Sequence, residues 1–305
     1  MIYMIKKPTI IITSPARTGT TFFYKLFDEI TYNTICFHEP DRFGIKNVNA
    51  ELKGKNTFQD RIWKIQNFGL LNLTLKKPLD KWGLLSLSHK RMSDEIKIEE
   101  CSKKIEECRK KFIESFEENV YIESNYHYYG LIDVIEKVFK QHKLIYIMRD
   151  GRDWVRSHIN IELFYHEKDL HTILNNRLTP KKIKDEKYID RWDNMSQFEK
   201  LCWAWTKINS YALETIKKNK NAKMFYFEDI FKSKDKYENI VKILEFTKTL
   251  DDIQYNFEKI SGIIEEKVHK NPSNKFPKWD DWSEKQKNQF EEICGPLMTK
   301  LRYFN

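Results

Sequence analysis

The chain has 305 residues, 14% of them aromatic, with only nine glycines and eight prolines, a globular composition that excludes a disordered or collagen-like chain. Lysine and arginine number 54 against 45 acidic residues, a net charge of +9, which fits either a polyanionic partner or a solvated lysine-rich surface. Five cysteines without a CxxC spacing argue against a disulfide framework or a zinc site, and the apolar N-terminal run, broken by Lys6, Lys7 and Pro8, is too short to span a bilayer.

Taken in chain order, Thr9–Thr13 reads as a buried strand and Gly19–Ile30 as an amphipathic helix. A short strand at Thr34–Phe37 ends at His38-Glu39-Pro40. Phe58, Ile62, Ile65 and Phe68 mark a helix, and Leu70–Leu87, with Pro78 and Gly83, reads as loops over a site. Ser93-Asp94-Glu95 supplies an N-cap and acids for a long helix to about Glu118. Within it Ile98, Cys101, Ile105, Cys108 and Phe112 fall at spacings of three and four, which places both cysteines on one buried face. A strand at Asn119–Glu123 and a helix at Tyr129–Gln141 precede the clear strand Lys143–Met148, and Asp150 caps the helix that follows. Phe198–Lys218 is helical, Lys223–Phe227 is a late strand, and helices follow near 235–248 and 251–268. His269–Trp279 is a proline-broken loop, and Ser283 with Gln286 makes a capping box for a last helix ending near Arg302.

Short apolar strands alternating with helices predict a parallel sheet covered on both faces, a three-layer α/β/α fold. One domain over residues 1–305 is expected, with insertions at about 41–118 and 160–195 forming an acceptor side. With no signal-peptide pattern, the expected location is the cytoplasm.

The stretch Ser14-Pro15-Ala16-Arg17-Thr18-Gly19-Thr20-Thr21 joins the first strand to the first helix. Uncapped N–H groups and the positive end of the helix dipole make such a turn an anion site. A Walker loop needs a lysine after its last glycine, and Thr20 stands there instead; the cation is Arg17, two residues before Gly19. Further on, Arg149 closes the strand KLIYIM, with Ser157 eight residues later.

These two signals resemble the sulfotransferase superfamily, whose members use 3′-phosphoadenosine-5′-phosphosulfate (PAPS) and whose 5′-phosphosulfate loop reads Pro-[Lys/Arg]-Ser-Gly-Thr-Thr. This chain has one inserted alanine and threonine for serine. The resemblance implies a P-loop-like fold in which Arg17, Thr18, Gly19, Thr20 and Thr21 hold the 5′ end of the donor, and Arg149 and Ser157 its 3′-phosphate. It also matches Tyr226, in KMFYFEDI, to a Tyr-Glu-Asp-Leu strand end, and Lys278-Trp279 to a segment that closes over the nucleotide. It implies no required metal. It covers about residues 8–40, 119–160 and 200–305, and leaves 41–118 and 160–195 to acceptor specificity.

A general base is needed for the attacking hydroxyl or amine. Glu39 is the first candidate and His38 the second, since strand alternation turns only one of the two inward. Pro40 is expected to hold Glu39 extended. Asn125 and His127 are further candidates to line the site. Trp63, Trp203 and Trp205 are weighed as adenine platforms or core residues. The implied function is transfer of a sulfuryl group from PAPS to a carbohydrate, lipid, peptide or small-molecule acceptor. The alternatives are an ATP-dependent small-molecule kinase, disfavoured by the missing lysine, a nucleic-acid-binding protein, disfavoured by dispersed charge, and a nucleotide binder without chemistry. Acceptor and oligomeric state stay open.

Overall fold

The computed structural model describes residues 4–41, 57–69, 83–162, 164–250, 253–265 and 275–304. The chain begins with β1 (Thr9–Thr13), α1 (Thr20–Ile30), β2 (Thr31–Tyr32) and β3 (Thr34–His38). Helices α2 (Thr57–Phe68), α3 (Leu84–Met92) and α4 (Ile98–Glu114) lead to β4 (Val120–Ser124), α5 (Ile132–Val138), β5 (His142–Met148) and α6 (Gly151–Asn160). Two short helices, α7 (Leu170–Ile173) and α8 (Glu186–Ile189), precede the long α9 (Gln197–Ile216). Strand β6 (Ala222–Tyr226), α10 (Phe227–Phe231), α11 (Lys236–Lys248), β7 (Gln254–Tyr255), α12 (Ile260–Glu265) and α13 (Glu284–Lys300) complete the order.

Five strands form one parallel sheet in the order β3-β4-β1-β5-β6, and β2 pairs with β7 in a separate antiparallel ribbon. Side-chain alternation along each strand sorts the sheet residues into two cores. Ile10, Ile12, Val120, Ile122, Ile145 and Ile147 pack against α1, α11 and α12. Ile11, Tyr121, Leu144, Tyr146 and Met148 pack on the other face against α4, α5, α6, α9 and α13. The result is the three-layer α/β/α architecture expected from the sequence. From β1 the chain crosses toward β3, whereas from β5 it continues toward β6. Strand order therefore reverses between β1 and β5, and in open parallel sheets the crevice at such a reversal takes the ligand.

Several boundaries differ from the sequence reading. Ser93 does not start a helix. It is the C-cap of α3, and α4 begins five residues later after Lys97. Leu84, Leu85 and Leu87 are buried so densely that this stretch shows no clear period, yet it is helical; residues 70–82 lie outside the described residues. On α4 the buried row is Cys101, Ile105, Arg109 and Phe112, while Cys108 is exposed. The inward seat expected for Cys108 is taken by Arg109, because Glu123 waits for it in the core. Arg109 donates Nε and Nη2 to the two Glu123 oxygens at 3.1 Å each. Tyr121, Tyr128 and Asn125 complete the shell of the carboxylate at 2.7, 3.3 and 2.8 Å. The helix expected over Tyr129–Gln141 shortens to α5, because a 3-10 turn at Tyr126–Tyr128, capped by Asn125, precedes it.

Candidate active site

The loop from Ser14 to Gly19 wraps over the C-terminal end of β1. Ala16, Arg17 and Gly19 all have positive φ, at 65°, 56° and 85°. This left-handed run bends the chain into a concave turn of the kind whose amide groups converge on an anion. Helix α1 then starts at Gly19 with no side-chain cap, so its first N–H groups point out of the helix with no partner inside it. Glycine is needed here twice over. Its φ is in the left-handed region, and a Cβ would stand 2.7 Å from the ring of Phe231 at the end of α10.

The two distant sequence signals meet at this turn. Arg17 donates Nε to Ser157 Oγ at 3.2 Å, and Arg149 donates Nη1 to the main-chain carbonyl of Arg17 at 2.5 Å. Arg149 also lies with its guanidinium 4.5 Å from the centre of the Phe227 ring, and its Nε is buried without a hydrogen-bond partner. Burial pulls the Arg149 pKa down, opposed by Asp153 and Glu228, with neighbouring Arg17 adding to the fall. An arginine stays charged under such pressure, and a bound anion would relieve it. The unpartnered Nε and the uncapped helix start leave donors that an anion can take up.

Residues outside the two motifs hold this geometry. Trp154 donates its indole N–H to the carbonyls of Pro15 and Ala16 at 3.0 and 3.1 Å, which ties α6 to the underside of the loop. Trp205, on α9, donates to the Arg149 carbonyl at 3.0 Å. Trp203 and Trp205 are both fully buried, so they belong to the core rather than to an adenine platform, and Trp63 stacks on Phe37. Asp150 caps α6 by accepting from the Arg152 N–H at 2.8 Å, as expected. Its own N–H goes to Glu228, whose other oxygen accepts from Tyr303. Burial pushes the Glu228 carboxyl up against these hydrogen bonds. The spacing of Trp154 one turn before Ser157 was the available sequence signal for its place under the loop; nothing in the sequence marked Trp205 or Glu228 as partners of Arg149 and Asp150.

The remaining candidates make contacts of their own. Thr18 is buried with its hydroxyl on Ser14, inside the loop. The Thr20 and Thr21 hydroxyls each lie 3.3 Å from His38 Nε2. Glu39 Oε1 is 3.6 Å from the same nitrogen. His38 and Glu39 are therefore both buried at one strand end, and the alternation expected to separate them fails. The reason is backbone conformation: Glu39 has φ 46°, not the extended conformation expected before Pro40, and this turns its side chain back beside His38. Asn125 is spent on Glu123 and on the His127 N–H. Tyr226 donates its hydroxyl to the Leu301 carbonyl, and Lys278 is exposed just before a 3-10 turn. The strap before Lys278 is anchored on α6: the Phe276 N–H goes to Asn160 at 2.7 Å, and its carbonyl accepts from Arg156 at 3.3 Å. Among the described residues no three His, Cys, Asp or Glu side chains gather as a metal site, and no helix is long and apolar enough to cross a membrane.

No family model matches the chain, and no curated protein matches it in sequence. Solved structures do. The chain is similar to mouse sulfotransferase SULT7A1 complexed with PAP, at 14% identity and TM-score 0.47, over 97% of this chain and 86% of that one. It is similar to sulfotransferase STF9 from Mycobacterium avium, at 15% identity and TM-score 0.44, over 81% and 64%. A sulfotransferase from Alicyclobacillus acidocaldarius matches at 11% identity and TM-score 0.39, over 98% and 96%. All three are sulfotransferases.

Proposed function

We propose that this chain is a PAPS-dependent sulfotransferase acting on a hydroxyl or amine acceptor. The observation that carries the reading is the bond from Arg149 to the Arg17 carbonyl, with Arg17 on Ser157. Loop and strand-end arginine, 132 residues apart in sequence, build one cationic crevice without a Walker lysine. Arg17, Thr18, Gly19, Thr20 and Thr21 are assigned to the 5′ end of the donor, Arg149 and Ser157 to its 3′-phosphate, and Tyr226 and Lys278 to binding of the same nucleotide.

PAPS would supply an activated sulfuryl group, which passes in line to the acceptor as the sulfur–oxygen bond to the 5′-phosphate breaks. Glu39 takes the acceptor's proton onto its carboxylate. Arg17 and the first N–H groups of α1 hold the negative charge that gathers on the leaving phosphate, a contribution of about 3 kcal/mol to the barrier for one well-placed donor. The location proposed is the cytoplasm.

A thermal-shift titration with 3′,5′-adenosine bisphosphate (PAP), run beside ATP and ADP with magnesium, tests the reading. Ligand at a hundredfold excess over its dissociation constant stabilises by about 2.7 kcal/mol, a shift on the order of 5 °C here. Stabilisation by PAP alone, lost in Arg149→Ala, is expected. Equal stabilisation by ATP–magnesium would return the kinase reading to first place.

A further inference from the structure

We infer that His38 is a positioning residue for the donor's 5′-phosphate, holding the Thr20 and Thr21 hydroxyls so that their protons face the anion; this rests on the sulfotransferase reading above. His38 is the last residue of β3, paired in register with Ser124 of β4. It is 8% exposed, and its Nε2 lies 3.3 Å from both threonine oxygens. Those threonines are the first two residues of α1, where the uncapped N–H groups converge. Beside it, Ser124 Oγ donates to the Thr20 carbonyl at 2.7 Å. The start of α1 is thus held by two neighbouring strand ends.

The direction of the hydrogen bonds decides what His38 does. A hydroxyl has one proton and two lone pairs. If Thr20 and Thr21 donated to a bare imidazole nitrogen, their protons would be withheld from an anion. If Nε2 carries the proton, that single N–H is shared between the two oxygens, points at their lone pairs and leaves both hydroxyl protons to the ligand. The Glu39 carboxylate, with Oε1 3.6 Å from Nε2, favours the second arrangement through its charge, since the one N–H there is spent on the threonines. His38 then has its site-facing nitrogen committed to the donor side. The base assignment falls to Glu39 alone.

The test is a calorimetric titration of PAP into the full chain and four variants: His38→Ala, His38→Gln, the pair Thr20→Val with Thr21→Val, and the triple variant. His38→Ala should weaken PAP binding about fivefold, the loss of one oriented hydrogen bond, while His38→Gln, which can donate from a similar position, should stay within about twofold. In the threonine-to-valine background His38→Ala should change nothing further. Should His38→Ala fail to fold, His38→Phe keeps a ring without the nitrogen and takes its place. The inference is overturned if wild type and His38→Ala bind PAP equally, or if His38→Ala weakens binding by the same factor with and without the threonine hydroxyls. Wild type that binds no PAP at all defeats the sulfotransferase reading itself, a distinct result.

Discussion

At the scale of single residues, the crevice depends on what an arginine can do and a lysine cannot. Arg149 spends Nη1 on a main-chain carbonyl, sets its guanidinium 4.5 Å from the centre of the Phe227 ring, and still has a buried Nε without a partner. A lysine has no planar fork with which to meet the three demands together. Arg149→Lys is therefore expected to weaken PAP binding about tenfold or more while leaving 5′-AMP binding little changed, so that the affinity ratio of the two nucleotides falls; Ser157→Ala should move the same ratio about fivefold. Calorimetry with both nucleotides reads this directly. An unchanged ratio in both variants would remove the 3′-phosphate from this end of the crevice.

Secondary-structure elements carry the crevice through their ends. Helix α9 opens with a complete capping box, Ser196 accepting from the Glu199 N–H and Glu199 reaching back to the Ser196 N–H. It delivers Trp205 to the Arg149 carbonyl two turns further on. Ser196→Ala should cost about 1 kcal/mol in a urea unfolding experiment and leave PAP affinity unchanged, because the cap sits far along the helix from the indole. The capping box at Ser283 and Gln286 and the cap at Asp150 were legible in the sequence, since each is a local pattern that the chain obeys. Ser93 was misread for the same local reason. Its hydroxyl does bond nearby, to Glu95 at 2.9 Å, but it closes one helix rather than opening the next. The central strands β4, β1 and β5 were legible because they are buried on both faces and so read as apolar runs, and the partly buried edge strands β3 and β6 by their short apolar middles. The meeting of Arg17, Arg149 and Ser157 was legible as two motifs. Their supports, Trp154, Trp205 and Glu228, were not, because a hydrogen bond across the sheet end leaves no periodic trace. Arg109 was hidden in the same way: its acidic partners, Glu123 near the end of a buried strand and Asp41, explain why a cation faces the core.

For the whole molecule, acid is the condition that the interior resists least. Burial holds the His89 imidazole down to about 3, with the Arg177 charge adding to the effect and the Asn176 carbonyl opposing it. His158, fully buried against Trp154, is held well down by burial too, with Arg17, Arg149 and Arg177 on the same side. In the unfolded chain each takes up its proton near pH 6.5, whereas folded His89 stays neutral until about 3. The unfolded state thus binds more protons in that window. Stability is full above pH 6.5 and is lost as pH falls, at about 1.4 kcal/mol per pH unit for each such histidine. Urea midpoints measured from pH 7.5 down to about 4.5 should show this slope. His89→Gln, which can keep hydrogen bonds to Tyr129 and Asn176, should lessen it by roughly one histidine's share. A slope unaltered by that change would mean that other groups carry the acid response. Asp169, held below the ordinary carboxylate range by Arg177, loses its contribution only at lower pH still.

The contact between Gly19 and Phe231 has a consequence for descent. At Gly19 a side chain would meet both a left-handed backbone and the Phe231 ring, and that ring lies in a helix 212 positions later (231 less 19). A lineage leaving glycine would have to satisfy two conditions: a residue such as asparagine that bears a left-handed backbone, and a smaller neighbour at 231. Either change alone loses ground, by strain in the first case and by a void in the second. The two positions should therefore drift as a pair or stay still together.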